Sequence, residues 1–424
     1  MDDTLRHRRR LLGAGAALAA TAFAGCAGTS RAAPPGRVAV VGGGYGGATA
    51  ARYLKLWGGS VEVTLVERQA DFVSCPISNL VLGGSRQMAD LTSGYAGLRA
   101  AGVRVLHTEA AAIDVGGRRL RLGNGGELAY DRLVLSPGID FIPGQIGGLD
   151  EALASGRVLH AWKAGPQTLA LRRRIEAMPD GGVFAMCIPR APYRGPPAPY
   201  ERACVVAGWL KANKPRAKLL VLDANPEITS KKGLFEAAFK AYAGLLEYRP
   251  NCELRELAGD VARLASEDVR ADVLNVIPPQ RAGDLARAAG LLNVDDRWVG
   301  VDWLTLEARA APGIHVLGDA VFSAPGMPKS AHMANQHAKV AAAAILQQLK
   351  GEPVNAVPMM TSTCYSFVNG SEAMHEASVH QYDAVDQTMK IVPGSGGVSA
   401  APSALEGGYA LAWAQNIRAD SLAL

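Results

Sequence analysis

Two thiols and a carboxylate in this chain have the type and setting for redox chemistry. Cys75 stands in Phe72-Val73-Ser74-Cys75-Pro76-Ile77-Ser78-Asn79, about thirty residues past the glycine-rich run Gly42-Gly43-Gly44-Tyr45-Gly46-Gly47. Cys364 follows the polar stretch Thr361-Ser362-Thr363 behind a proline-containing linker, and Glu201 closes a proline-rich loop where a helix begins. A lone cysteine is by default a small buried hydrophobe, so the elements around these residues decide what they do.

The glycine run sits where a dinucleotide is held. Arg37-Val38-Ala39-Val40-Val41 reads as a short buried strand and runs into G-x-G-x-x-G at Gly42, Gly44 and Gly47; a helix follows, then a second strand, Val61-Glu62-Val63-Thr64-Leu65-Val66, ending at Glu67. In such a turn Gly42 permits the sharp bend, Gly44 lets backbone N–H groups approach a pyrophosphate, and Gly47 lets helix pack on strand. Glu67 is placed to accept hydrogen bonds from a ribose. Two later strands favour FAD over NAD. Tyr130-Asp131-Arg132-Leu133-Val134-Leu135-Ser136-Pro137-Gly138 resembles the strand that closes the FAD domain of two-dinucleotide-domain flavoproteins, and Pro312-Gly313-Ile314-His315-Val316-Leu317-Gly318-Asp319-Ala320 resembles their Gly-Asp motif. That resemblance assigns Asp319 to the ribityl–phosphate part of FAD. Cys75 then lies within reach of the flavin end, where a thiol either attaches to the ring or exchanges electrons with it.

The 424 residues suffice for two or three domains, and 49% hydrophobic with 20% charged residues supports large cores. Five arginines and two aspartates before residue 34 supply +3 of the net +5; no basic stripe interleaved with aromatics follows, which points away from nucleic acid. Arg8-Arg9-Arg10 precedes the apolar run 11–24 and then small residues, the layout of an export signal. Paired arginines suggest the twin-arginine route, which carries proteins already folded around a cofactor to the periplasm. Phe23-Ala24-Gly25-Cys26 also resembles a lipoprotein cleavage box, so a membrane tether would run through Cys26; no later stretch is long and apolar enough to span a bilayer. Export makes the compartment oxidising. The cysteines beyond Cys26 and Cys75 leave two, one or no disulfides open, and neither a C-x-x-C pair nor metal-ligand histidine spacing occurs.

The middle of the chain reads as a second α/β domain that has lost its nucleotide fingerprint. Gly182-Val183-Phe184-Ala185-Met186-Cys187-Ile188 and Lys218-Leu219-Leu220-Val221-Leu222-Asp223 are strands, with a helix starting near Pro199-Tyr200-Glu201. The turn between them should be glycine-rich if it held a pyrophosphate. Instead 189–199 carries five prolines, which remove N–H donors and stiffen the loop. Nicotinamide nucleotide is therefore not the expected electron donor.

Cys75-Pro76-x-Ser78-Asn79, Pro196-Pro197-Ala198-Pro199-Tyr200-Glu201-Arg202, the Gly318-Asp319 strand, Met327-Pro328-Lys329-Ser330 and Thr363-Cys364-Tyr365-Ser366 together resemble the flavoprotein subunit of flavocytochrome c sulfide dehydrogenase, from about Arg37 to the C-terminus. The resemblance implies a glutathione-reductase-like fold: α/β, with two Rossmann-like dinucleotide-binding domains and a C-terminal α+β interface domain. The expected layout is a signal segment at 1–33, an FAD-binding domain in two parts at 34–150 and 276–354, an NAD-like domain at 151–275 and an interface domain at 355–424. It further implies a thioether from Cys75 to the flavin 8α-methyl, a c-type cytochrome subunit as oxidant, and oxidation of a small reduced sulfur compound in the periplasm. No C-x-x-C-H haem site is present, so any haem belongs to another chain.

One position departs from that family. Its two redox cysteines face the flavin; one matches Cys364, and the other falls on Gly195. Cys187, eight residues upstream, substitutes only if the loop folds back, and is otherwise a buried strand residue. Glu201 matches a family glutamate proposed as an acid/base, and a desolvated carboxylate at a loop–helix junction suits proton transfer; a first-turn carboxylate favoured by the helix dipole is the equally weighted structural role. Pro328-Lys329-Ser330 opens a long helix, whose N-terminus with Lys329 would favour negative charge on a reduced flavin. Three readings follow: a sulfide:cytochrome c oxidoreductase, a family member with an altered donor, or a non-catalytic flavin electron-transfer subunit.

Overall fold

The computed structural model describes residues 36–424. The expected export segment at 1–33 and Cys26 lie outside the described residues. Arg37–Val41 buries Val38, Ala39, Val40 and Val41, as a strand covered on both faces must. It is the centre of a five-stranded sheet ordered Ile314–Val316, Arg132–Leu135, Arg37–Val41, Glu62–Val66, Arg104–Leu106, every neighbour parallel. Because the strands run the same way, their carboxyl ends bring Gly42, Glu67, Ser136 and Gly318-Asp319 to one edge, where open α/β sheets bind ligands. Helix Tyr45–Gly58 buries its Gly46, Gly47, Ala48, Ala50 and Ala51, small residues that let it pack against helix Ala331–Lys350.

The chain leaves this sheet through Ile139–Phe141 and returns through Gln280–Ala282, two strands paired antiparallel. Between them lies a four-stranded parallel sheet ordered Leu246–Arg249, Lys218–Asp223, Val183–Ile188, Val273–Val276. Helix Ala198–Asn213 follows Val183–Ile188 and is buried from Pro199 to Ala207.

The C-terminal region is antiparallel. Met359–Phe367 pairs with Ala373–Asp383, which also pairs with Thr388–Ile391 and Gly397–Val398. Met359–Phe367 begins with the alternation of a half-buried strand, Met360 and Ser362 inward, then loses it at Thr363-Cys364-Tyr365, all half-buried. Helix Ala404–Leu422, capped by the Ser403 hydroxyl, returns to the first domain, where Thr49 Oγ1 donates to Ser421 Oγ at 2.8 Å. The architecture is thus mixed α/β, with two Rossmann-like parallel sheets and a C-terminal α+β unit. No helix among the described residues is long and apolar enough to cross a membrane.

Candidate active site

A cavity of about 820 Å³ opens at the carboxyl edge of the first sheet and extends to the C-terminal strand Met359–Phe367. Its first part is the glycine turn. Gly42 has φ +93°, and a Cβ there would stand 2.3 Å from the Ser136 carbonyl oxygen; a Cβ on Gly47 would stand 1.9 Å from the Gly42 carbonyl oxygen. Gly44 has open space where its side chain would be and caps the helix facing the cavity. Glu67 pins the turn, its Oε2 accepting from the Gly43 N–H at 2.6 Å and its Oε1 from the Gln69 N–H at 2.8 Å. Asp319 supplies a further test of what fits. Its Oδ1 is buried without a hydrogen-bond partner, its residue lines the cavity, and burial raises its carboxyl above the ordinary range. An unsatisfied buried acceptor is costly, and a hydroxyl donor from a ribityl chain would satisfy it. The residues fit a bound FAD.

Cys75 lines the same cavity. Arg194 Nη1 lies 3.4 Å from its Sγ, and the Arg194 guanidinium, also over the Trp162 ring at 5.6 Å, donates to the Trp162 carbonyl. Arg194 comes from the proline-stiffened loop, whose backbone is held by Gln280 Oε1 accepting from Arg194 N at 2.9 Å. The loop that cannot cradle a pyrophosphate instead delivers a cation to the thiol.

Cys364, Glu201 and Gly195 also line the cavity. Glu201 is buried in the first turn of Ala198–Asn213, with Oε1 accepting from Phe367 N–H at 2.9 Å and Oε2 from Asn79 Nδ2 at 2.7 Å. Desolvation raises its carboxyl above the ordinary range, opposed by those two hydrogen bonds. Asn79 is in turn fixed, because its Oδ1 accepts from Arg202 Nε at 3.1 Å, and Arg202 is buried against Asn275 Oδ1 at 2.9 Å. Burial, then Arg194, draws Arg202 down to about 9. Desolvation likewise raises the Cys364 thiol. Gly195 has φ +65°, its N–H donates to the Lys329 carbonyl at 2.8 Å, and a Cβ there would touch only the Ala198 Cβ, at 3.4 Å.

Two sequence expectations need correction. Cys187 does not reach the cavity: it is 3% exposed in the interior of Val183–Ile188, packed in the aliphatic cluster with Leu222 and Val276. Burial, then Cys252, pushes its thiol up to about 12. The loop does not fold back, since Val183–Ile188 is locked between two parallel neighbours, so Cys187 is no substitute for the second thiol. Lys329 lines the cavity, yet its ammonium turns into the protein, donating to the Asp319 carbonyl at 3.0 Å and the Val321 carbonyl and lying 3.8 Å from the Trp298 ring centroid. Burial pulls it down to about 7. It braces the Asp319 turn, while Ser330 caps the helix. All five cysteines among the described residues are free thiols.

The second sheet has sealed the position where a dinucleotide domain keeps its ribose-binding acid. Asp223, at the end of Lys218–Asp223, is fully buried. Its Oδ2 accepts from Tyr200 OH at 2.7 Å and Tyr248 OH at 3.0 Å, and its Oδ1 from Asn225 N and Nδ2 at 2.9 and 2.7 Å. Sequence reasoning missed Arg194, Trp162 and Lys231. Asn79 and Arg202 stood inside motifs that carried the family resemblance, but nothing in those motifs showed that the two hydrogen-bond to each other.

A glycine-turn nucleotide site, an unsatisfied buried aspartate and a thiol-bearing cavity shared with a C-terminal sheet define a flavin-binding oxidoreductase of the two-dinucleotide-domain class. Residues 36–170 match the pyridine nucleotide-disulphide oxidoreductase family. Residues 168–278 match the central region of the sulfide dehydrogenase [flavocytochrome c] flavoprotein chain, and 356–422 the flavin-binding region of flavocytochrome c sulphide dehydrogenase. The sulfide dehydrogenase flavoprotein chain of Chlorobaculum thiosulfatiphilum is 58% identical over 45 residues, 11% of this chain and 94% of that sequence. The chain belongs to the family of flavocytochrome c sulfide dehydrogenase flavoprotein chains. Mouse mitochondrial sulfide:quinone oxidoreductase is 23% identical over 305 residues, 66% of this chain; the match spans 65% of that relative's length. The solved sulfide:quinone oxidoreductase of Aquifex aeolicus shares the fold, with a TM-score of 0.76 at 18% identity over 92% of this chain and 93% of that one.

Proposed function

We propose that this chain oxidises a small reduced sulfur compound, sulfide first, on FAD attached through Cys75, and passes the electrons to a c-type cytochrome subunit in the periplasm. The observation that carries the reading is that Cys75, Cys364 and Glu201 line one cavity continuous with the glycine turn. FAD, when bound, supplies a two-electron acceptor that can release electrons one at a time to a haem. The chain's own residues do the rest. The Gly42–Gly47 turn, Glu67 and Asp319 hold and orient the nucleotide, and Cys75 tethers the flavin end. Cys364 receives the donor sulfur. Glu201, whose carboxyl keeps its proton to higher pH than an ordinary carboxylate, exchanges protons with the hydrosulfide. Asp223, saturated by protein donors, supports a second domain without a nicotinamide nucleotide. The paired arginines before the apolar run support periplasmic placement by the twin-arginine route, with Cys26 as the route to any lipid tether.

Rapid mixing of purified protein with sulfide tests this. Prompt bleaching of the flavin, lost in Cys364→Ala, is the expected result; a flavin that sulfide leaves oxidised, or bleaching indifferent to Cys364→Ala, overturns it. Gly195 favours a second reading. A glycine leaves no side chain where the family's second thiol would stand, and only the Ala198 Cβ lies within 4 Å of a Cβ built there, so the family chemistry would persist with another sulfur species. Bleaching by such a species but not by sulfide decides for it. Reoxidation by cytochrome c without bleaching by any sulfur donor would leave a non-catalytic electron-transfer subunit.

A further inference from the structure

Lys231 is a buried cation that the site described so far does not use. It adopts φ +52° directly before helix Lys232–Lys240, a conformation uncommon for a residue with a side chain, and that turn sends its side chain inward with no exposure at all. Its Nζ donates to the Cys364 carbonyl at 3.2 Å. The one carboxylate among the described residues within ion-pair reach is that of Glu376, at 3.9 Å and itself 47% exposed. Glu376 stands directly opposite Cys364 in the antiparallel register, and directly opposed residues send their side chains to the same face. An ammonium that reaches Glu376 on that face therefore lies on the sulfur side of Cys364. Ser230 Oγ donates to Glu376 Oε2 at 2.8 Å, which ties the turn to the same strand.

We propose that Lys231 is the counter-ion of Cys364, a positioning residue that holds negative charge on its sulfur where the family's second thiol is replaced by Gly195. The proposal rests on reading Cys364 as the reacting thiol. The Ser362 hydroxyl lies 3.9 Å from the Cys364 sulfur; the other groups that act on its charge are Lys231 from the turn before Lys232–Lys240, Glu376 from the neighbouring strand and the Ser330 hydroxyl, while Glu201, from helix Ala198–Asn213, acts on Lys231. Burial disfavours both charged forms, raising the thiol and lowering the ammonium, and each charge offsets part of the other's cost.

The test is the pH profile of Cys364 alkylation by iodoacetamide in the flavin-loaded protein, read by peptide mass. Removing a single buried charge in contact with the thiol's strand should move the midpoint up by about 1 to 2 pH units, slowing alkylation roughly 10- to 100-fold below it. That is the result expected for Lys231→Met, with Lys231→Arg close to wild type. Lys231→Gln, which keeps a polar side chain but carries no charge, is also expected to move the midpoint up, so it decides the matter if Lys231→Met does not fold. A Lys231→Met or Lys231→Gln profile superimposable on wild type overturns the proposal. Sulfide bleaching is scored separately. A Lys231-dependent alkylation profile in a protein that sulfide does not bleach would sink the sulfide reading and leave the charge pair standing; bleaching with a Lys231-independent profile would do the reverse.

Discussion

Glu201→Gln separates the proton-transfer role of this carboxyl from its place in the fold. In the wild-type protein both Glu201 oxygens accept, one from Phe367 N–H and one from Asn79 Nδ2. The glutamine keeps the first bond through its carbonyl and then turns its NH₂ toward the Asn79 NH₂. Asn79 cannot flip to relieve the conflict, because its Oδ1 already accepts from Arg202 Nε at 3.1 Å. One buried pair of donors is left facing, a loss of about 1–3 kcal/mol. For a chain of this size that corresponds to roughly 1–4 °C in melting temperature. The cost has a pH signature. The folded-state pKa of Glu201 is raised, so its contribution to stability is fully present below the unfolded carboxyl pKa and is lost as pH rises through the folded value. The melting gap between wild type and Glu201→Gln should therefore be widest in acid and narrow as pH rises. Adding Asn79→Asp supplies an acceptor for the glutamine NH₂ while keeping one for Arg202, but it gives up the Asn79 Nδ2 donation to the Ala198 carbonyl at 3.1 Å, so it should recover only part of the loss. Differential scanning fluorimetry across pH measures all three proteins. Loss of the proton-transferring group should also slow sulfide-driven flavin bleaching about 100-fold or more, and the double variant should not restore that rate. A double variant no more stable than Glu201→Gln would refute the donor–acceptor argument; an unchanged bleaching rate in Glu201→Gln would refute the proton-transfer role.

Three further outcomes follow from the same cavity. Cys75→Ala should leave the glycine turn and Asp319 able to hold flavin while the acid-precipitated protein turns colourless; precipitate that stays yellow would place the link elsewhere. Gly195→Cys meets only the Ala198 Cβ at 3.4 Å but sits at φ +65°, a strain of about 1–2 kcal/mol for a residue with a side chain. The variant should fold with a slightly lower melting temperature and, under oxidising conditions, lose Cys364 from its titratable thiols; Cys364 remaining fully titratable would show that the two positions do not face each other. Gly47→Ala drives a Cβ to 1.9 Å from the Gly42 carbonyl oxygen, so the purified protein should have lost bound flavin, as its visible flavin absorbance reports.

What could be read in advance was whatever the chain encodes locally. The Gly42–Gly47 pattern and Glu67 are consequences of strand–turn–helix–strand order, and their steric reasons reappear in the structure: a Cβ at Gly42 or Gly47 collides with a carbonyl, and one at Gly44 meets nothing. Parallel strands of buried aliphatics fixed the α/β class in the same way. What could not be read depends on which distant segments the fold brings together. Lys231 looks like one of several lysines in a polar stretch, Ser230-Lys231-Lys232; only a left-handed turn beneath a strand 133 residues away buries its ammonium. Cys187 failed for the converse reason. It was weighed by its distance along the chain from Gly195, yet a strand side chain takes its face from the pleat, and here the pleat sends Cys187 to the aliphatic cluster shared with Leu222 and Val276. Lys329 shows the same limit at the level of one side chain: its position beside the helix N-terminus was legible, but the carbonyls of Asp319 and Val321 and the Trp298 ring take its charge. The buried cation left beside Cys364 is Lys231, whose Nζ donates to the Cys364 carbonyl at 3.2 Å, and the counter-ion proposal gives it the role that neither Lys329 nor Gly195 can fill.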